Sequence, residues 1–337
     1  MDSELFFVTL SPDLYNMLLE IVLIVVCFAV VLWGADRFTD GACGLARRLK
    51  VSELVIGLTV VSLGTSLPEF IVSLMSLLRG SGNMSVGNVM GSNIFNILVI
   101  TGSAAIMRNI KVDGSILRRH FPICFLASFM LFNFGFSEGR IQRWEGLGLV
   151  ALFCIYLYYN YLVALKDRRE AQEEPHAEGM SLAKSLGLIL VGMAALVIGG
   201  RVLVNNAASV AAELGVSESV IGLTILAGGT SLPELATSVI AARKGSFGLA
   251  LGNVLGSNIF NIAFVIGVCG SVVPMTVTEI KPLDWGMLVG SVVLTWIVAW
   301  TGRKLEKREG ILLVLVYMLY LLWLLFNQQI INVLTKF

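Results

Sequence analysis

The chain alternates long apolar runs with short polar connections. Uninterrupted apolar stretches occupy approximately 15–34, 53–78, 84–107, 119–137, 145–165, 181–201, 218–242, 248–273, 283–301 and 309–327. A helix needs roughly 20 apolar residues to cross the hydrocarbon of a bilayer, so the pattern predicts an all-α polytopic membrane protein with ten transmembrane helices. One stretch reads as a linker: KDRREAQEEPHAEG (166–179) is polar, charged and broken by Pro175. It divides the chain into a first five-helix unit (1–165) and a second (181–337), joined through 166–180. The first apolar run is not a signal peptide. Asp2, Glu4 and Asp13 precede it without a basic residue, and no small-residue cleavage site follows.

Composition supports a bilayer as the solvent. Charged residues make up 14% of the 337 positions, against about 25% in a soluble domain, which excludes a water-soluble enzyme. A net charge of +1 gives no electrostatic case for nucleic acid. The five cysteines stand singly, mostly in apolar runs and without a CxxC. They read as small packing residues, not as a disulfide or zinc framework.

Basic residues orient the helices, because cytoplasmic loops are enriched in Lys and Arg. With ten crossings, alternate connections hold 18 basic residues on one side and 6 on the other, which accounts for all 24. The linker lies on the basic side and is therefore cytoplasmic; both termini are non-cytoplasmic.

A shift of 165 residues aligns the chain with itself. VSELVIGLT (51–59) falls on VSESVIGLT (216–224), GTSLPE (64–69) on GTSLPE (229–234), and GNVMGSNIFNI (87–97) on GNVLGSNIFNI (252–262). Of the 50 positions from 51 to 100, 27 are identical without a gap. An odd number of helices per copy makes the second copy enter the membrane from the opposite side, and the basic-residue alternation agrees. Two inverted five-helix repeats are a transporter architecture, with the site at the midplane where the halves meet.

The shared residues are polar. Glu69 and Glu234 each lie inside an apolar run with no Lys or Arg in the same core, where a carboxylate costs at least about 2.5 kcal/mol on insertion scales. Thr65, Ser66, Thr230 and Ser231 supply hydroxyls one turn earlier. Pro68 and Pro233 lack an N–H, so the carbonyls of Gly64 and Gly229 lose their helical partners. Broken backbone at this depth survives where it lines a cavity or is buried in protein. Asn88, Ser92, Asn93 and Asn96, mirrored by Asn253, Ser257, Asn258 and Asn261, add neutral oxygens. Ser92 and Asn96 are four residues apart and share a helix face. Oxygen donors without His or Cys favour hard cations. Two carboxylates neutralise one calcium ion or share several sodium ions, and competition between those occupancies is a route to exchange.

The paired GTSLPE and GNV-x-GSNIFN segments resemble the two alpha repeats of the calcium/cation antiporter family, which includes the sodium/calcium exchangers. The resemblance covers the ten-helix layout. It implies an antiporter that exchanges sodium for calcium by alternating access, with no cofactor, no required protein partner and a place in a prokaryotic cell (inner) membrane. The family's cation ligands match at Thr65, Ser66, Glu69, Ser92 and Asn96, and at Thr230, Ser231, Glu234, Ser257 and Asn261. Backbone carbonyls used just before GTS fall at Ser62 and Ala227. Potassium-dependent members carry Asp at the position of Asn261, so the Asn in both copies resembles the potassium-independent pattern. The GN-x-x-E-type motif of proton-coupled relatives is not found, which makes a proton-coupled cation exchanger the alternative. A cation channel is a further alternative. An intramembrane enzyme is not supported, since no His or Lys base repeats.

Other polar residues read as structural. Glu20 is expected to snorkel or to meet a polar neighbour. Glu53 and Glu218 follow Ser52 and Ser217 at helix N-termini. His120 reads as interfacial and His176 as a linker residue; Trp33, Trp144, Trp285 and Trp300 read as interfacial anchors.

Overall fold

A computed structural model of the chain describes residues 12–170, 180–216, 221, 225 and 227–334. The described residues form α1 (Pro12–Leu49), α2 (Glu53–Thr65), α3 (Leu67–Leu78), α4 (Gly82–Met107), α5 (Ile116–Glu138) and α6 (Arg143–Glu170). They continue with α7 (Leu182–Glu213), α8 (Leu232–Lys244), α9 (Phe247–Val272), α10 (Pro282–Trp300) and α11 (Lys307–Leu334). Among the described residues, eight helices are long and apolar enough to cross a bilayer, and α2 with α3 makes a ninth candidate bent by 45°. The expected span at 218–242 falls partly outside the described residues, as do Ser217 and Glu218. What is described there is the turn Ala227–Gly229 followed by α8.

Two helices outrun their apolar stretches. α1 continues to Leu49 instead of ending near residue 34, and α7 to Glu213 instead of 201. At 1.5 Å per residue α1 is about 57 Å long, nearly twice the hydrocarbon thickness. Hydropathy records how much of a helix sits in hydrocarbon, whereas hydrogen bonding stops at a local signal. For α1 that signal is Lys50, with φ of 58°. α6 likewise runs to Glu170, into the expected linker.

α4 and α9 form the centre, and every residue from Leu249 to Ile259 is buried. α1 and α7 lie at the periphery and pack along each other. Glycines permit their close approach: a Cβ on Gly34 would stand 2.8 Å from Ala195 Cβ, and one on Gly192 would stand 2.6 Å from the Phe38 nitrogen. Small residues at crossings are what lipid-embedded helices use to gain packing. The outer surfaces of α1 and α11 carry exposed large apolar residues, among them Val25, Phe28, Leu315 and Leu319.

Short strands tie the helix ends. β1 (Ile110–Lys111) pairs with β4 (Lys304–Leu305), and β2 (Arg140–Ile141) with β3 (Met275–Thr276). β1 precedes α5 and β2 follows it, while β3 precedes α10 and β4 follows it. α5 and α10 therefore run antiparallel with both pairs of ends tied. The shift of 165 carries β1 onto β3.

Two structural expectations change. Trp285 is 2% exposed, unlike Trp33, Trp144 and Trp300. Its ring lies where a Cβ on Gly135 would be, 2.1 Å from Trp285 Cη2, so a glycine on α5 makes room for the indole. His120 is 2% exposed, set in the first turn of α5 against Tyr156 and Tyr159 rather than at an open interface. Glu20 does meet a polar neighbour, accepting a hydrogen bond from Ser209 Oγ at 2.7 Å. All five cysteines are free.

Candidate cation-binding site

Each half contributes a broken helix and the helix that follows it. Ser66 leaves helical geometry at φ −88°, ψ 8°, and Ser231 does the same at φ −87°, ψ 10°. Pro68 and Pro233 then sit in the first turns of α3 and α8, where a missing N–H costs nothing. Gly80 and Gly245, at φ 81° and 87°, reverse the chain into α4 and α9; a β-carbon would be strained there. Past the reversal, the GSNIFN segments change to wider helical turns at Asn96–Ile100 and Phe260–Ile266. Such π-type turns cluster at functional sites in proteins generally.

The expected residues converge. Glu69 and Glu234 are fully buried. Ser231 Oγ donates to Glu69 Oε1 at 3.2 Å, and Ser66 Oγ donates to Glu234 Oε1 at 2.9 Å. Each serine thus serves the carboxylate of the opposite half. Thr230 and Ser92 lie beside Glu69, and Thr65 beside Glu234. Thr65 Oγ1 donates to Asn253 Oδ1 at 3.1 Å, and Asn261 Nδ2 donates to Asn93 Oδ1 at 3.1 Å.

Many oxygens in this cluster lack a donor. Among the described residues, Oε2 of Glu69 and Glu234, Oγ of Ser92 and Ser257, Oγ1 of Thr230 and Oδ1 of Asn96 and Asn261 are buried without a hydrogen-bond partner. Buried polar atoms are normally paired, so seven such oxygens in one place call for a ligand that accepts lone pairs. Nor do Lys, Arg or His form an ion pair with either glutamate among the described residues. Two buried carboxylates without a counter-charge carry a desolvation cost of several kcal/mol each. A cation or a proton removes it.

The backbone donors are less distinct. The Ser62 carbonyl accepts the Ser66 N–H at 3.1 Å, so one of its lone pairs is used; the Ser62 hydroxyl donates to the Thr59 carbonyl at 3.2 Å. Ala227 begins the turn Ala227–Gly229.

An outer ring holds the broken helices, and part of it was not singled out from the sequence. Asn88 Nδ2 donates to the Glu69 carbonyl at 3.3 Å and to Ser73 Oγ at 3.0 Å. Asn253 Nδ2 donates to the Glu234 carbonyl at 3.4 Å and to Ser238 Oγ at 2.9 Å. Ser73 and Ser238 were detectable: they are the only identical pair between 70–79 and 235–244. Across the centre, Asn93 Nδ2 donates to the Asn258 carbonyl and Asn258 Nδ2 to the Asn93 carbonyl, each at 3.1 Å. This is the reciprocity of a two-fold contact.

Comparison with known proteins places the chain among ion transporters. The profile described as "Sodium/calcium exchanger protein" matches residues 19–162 and 184–326. The chain is 35% identical over 323 residues to inner membrane protein YrbG of Escherichia coli, covering 91% of this chain and 98% of that protein. It is 31% identical over 336 residues to sodium/calcium exchanger MaX1 of Methanosarcina acetivorans, covering 87% and 95% respectively. A solved structure of the sodium-calcium exchanger NCX_Mj superposes with a TM-score of 0.78 at 30% identity, covering 91% of this chain and 99% of the other.

Proposed function

The chain belongs to the sodium/calcium exchanger family, and from that premise we propose that it is a secondary antiporter that exchanges sodium for calcium by alternating access. The observation that carries this reading is the set of buried, unpartnered oxygens around Glu69 and Glu234. Calcium takes six to eight oxygen ligands and has no need of nitrogen or sulfur. The two carboxylates balance its charge; hydroxyl and amide oxygens of Thr65, Ser66, Ser92 and Asn96, and of Thr230, Ser231, Ser257 and Asn261, complete the shell. The carbonyls of Ser62 and Ala227 are additional donors. Sodium ions spread over the same oxygens compete with calcium, so each cation displaces the other.

The ligands come from both halves, and an inverted repeat gives such a site two equivalent exits. The antiparallel run of α5 and α10, positions that the shift of 165 superposes, supports the inversion. With ten spans, the Lys and Arg distribution puts the linker in the cytoplasm and both termini outside it. The kinship with an inner membrane protein of Escherichia coli supports a cell-membrane location. α1 and α7 pack on each other at the periphery, which suits them to slide as a pair across the broken helices while the site stays fixed.

Calcium uptake into sodium-loaded proteoliposomes at clamped pH tests the proposal, with external sodium and potassium varied. Uptake is expected to need the outward sodium gradient, to persist without potassium, and to vanish in Glu69→Gln and in Glu234→Gln. Uptake driven by a proton gradient and indifferent to sodium would instead establish the proton-coupled alternative. Flux that neither saturates nor depends on a counter-ion would indicate a channel.

A further inference from the structure

Within the buried polar cluster around Glu69 and Glu234, side-chain hydrogen bonds between the halves come in matched pairs under the 165-residue shift, with two exceptions among the described residues. Ser66–Glu234 is matched by Ser231–Glu69, and the Asn93 amide to the Asn258 carbonyl is matched by its reverse. Thr65–Asn253 has no Thr230 counterpart, since Thr230 Oγ1 has no partner among the described residues. Asn261–Asn93 has no counterpart either. The atoms that would form it, Asn96 Nδ2 and Asn258 Oδ1, are both buried and both unpartnered. A donor and an acceptor are therefore present, in equivalent positions, for a bond that this conformation does not make.

Asn93 Oδ1 holds the amide nitrogen of Asn261, which leaves Asn261 Oδ1 as the end presented to a cation. Asn96 has no such restraint among the described residues. A buried amide satisfied at one end has a fixed orientation, and an unsatisfied one does not. We infer that Asn93 and Asn258 are a matched pair of positioning residues: Asn93 aims the Asn261 oxygen in the conformation described here, and Asn258 aims the Asn96 oxygen when access moves to the other face. The inference rests on the antiport reading and adds to it the element that changes hands. The central Asn93–Asn258 bonds remain in both conformations, and the outer amide bond passes from one half to the other.

Asn93→Leu and Asn258→Leu provide the test. Each removes one of the reciprocal amide-to-carbonyl bonds, so general damage is equal in the two variants. They differ in which ligand amide is released. Apparent calcium affinity is measured from both faces, in right-side-out and inside-out vesicles. The ratio of the two affinities is expected to move in opposite directions in the two variants, each by about fivefold, the worth of one net hydrogen bond. Asn93→Asp and Asn258→Asp keep the accepting oxygen and should return the ratio toward that of the unaltered protein. Asn93→Ala and Asn258→Ala, which also lack the accepting oxygen, replace a leucine variant that fails to fold. A ratio that moves the same way in both leucine variants, or stays fixed while the unaltered protein exchanges, overturns the pairing alone. No sodium-dependent flux in the unaltered protein overturns the antiport reading and the pairing with it.

Discussion

Replacing Gly192 by alanine is expected to destabilise the protein, whereas the same change at Gly187 in the same helix is not. A Cβ on Gly192 would stand 2.6 Å from the Phe38 nitrogen, 2.7 Å from the Gly34 oxygen and 2.8 Å from the Phe38 Cα. These are backbone atoms of α1, so no rotamer change relieves the contact. Ordinary contact begins at 3.4 Å, and the two helices must part by roughly 0.8 Å, which overpacking data price at about 1–3 kcal/mol. Alanine regains about 0.5–1 kcal/mol of helix preference over glycine, leaving a net loss of up to about 2.5 kcal/mol. A Cβ on Gly187 would have no neighbour within 4 Å, so only the gain of up to about 1 kcal/mol applies there. Thermal unfolding in detergent should put Gly192→Ala below the unaltered protein and Gly187→Ala at or above it. Sodium-dependent calcium uptake should fall in Gly192→Ala, because the pair proposed to slide is prised apart. A Gly192→Ala protein as stable as the Gly187→Ala one would refute the close approach of α1 and α7.

Two further outcomes concern contacts of α1 with the second half. Lys244 Nζ lies 2.7 Å from Asp36 Oδ1 and 2.6 Å from Asp40 Oδ1, joining the end of α8 to α1. The equivalent positions, Arg79, Arg201 and Asn205, cannot form such a cluster because two of them are cations. Lys244→Met should therefore bias access toward one face by about 1 kcal/mol, the upper range for half-exposed pairs; an unchanged ratio of apparent calcium affinities in the two vesicle orientations would argue against this. Cys43 Sγ lies 3.4 Å from Ser246 Oγ, between α1 and the start of α9. Oxidation of a Ser246→Cys variant should tether them and stop exchange, with equilibrium calcium binding retained and flux restored by a reductant. Continued exchange in the oxidised protein would show that α1 does not move against α9.

Much of the site was legible because its residues are costly where they sit. Glu69 and Glu234 stand out in apolar runs whatever the fold, since hydrocarbon solvates carboxylates poorly. The repeat then brought in the threonine, serine and asparagine positions without any geometry. The structure buries both glutamates, Ser66, Ser231 and most of the two GSNIFN segments, and brings each serine to the glutamate of the opposite half. The long apolar runs likewise announced α4, α5, α9 and α10 to within a few residues, because a bilayer sets their length.

What hydropathy does not encode is where a helix stops once it leaves the hydrocarbon, so the extensions of α1 and α7 emerged only from the folded chain. Trp285 shows the same limit: an indole near a helix end looks like an interfacial anchor until Gly135 on α5 supplies a socket for it. The repeat in the sequence is symmetric by construction and is silent on which half is engaged. The Thr65–Asn253 and Asn261–Asn93 bonds exist on one side alone although their residues are identical in both copies. Sequence determined the solvent, the duplication and which polar side chains the candidate site holds, since each depends on residue type and spacing along one chain. Tertiary packing decided the asymmetry, because whether Asn96 and Asn258, or Thr230 and Asn88, come within hydrogen-bonding distance depends on how the two halves sit in one conformation and not on residue type.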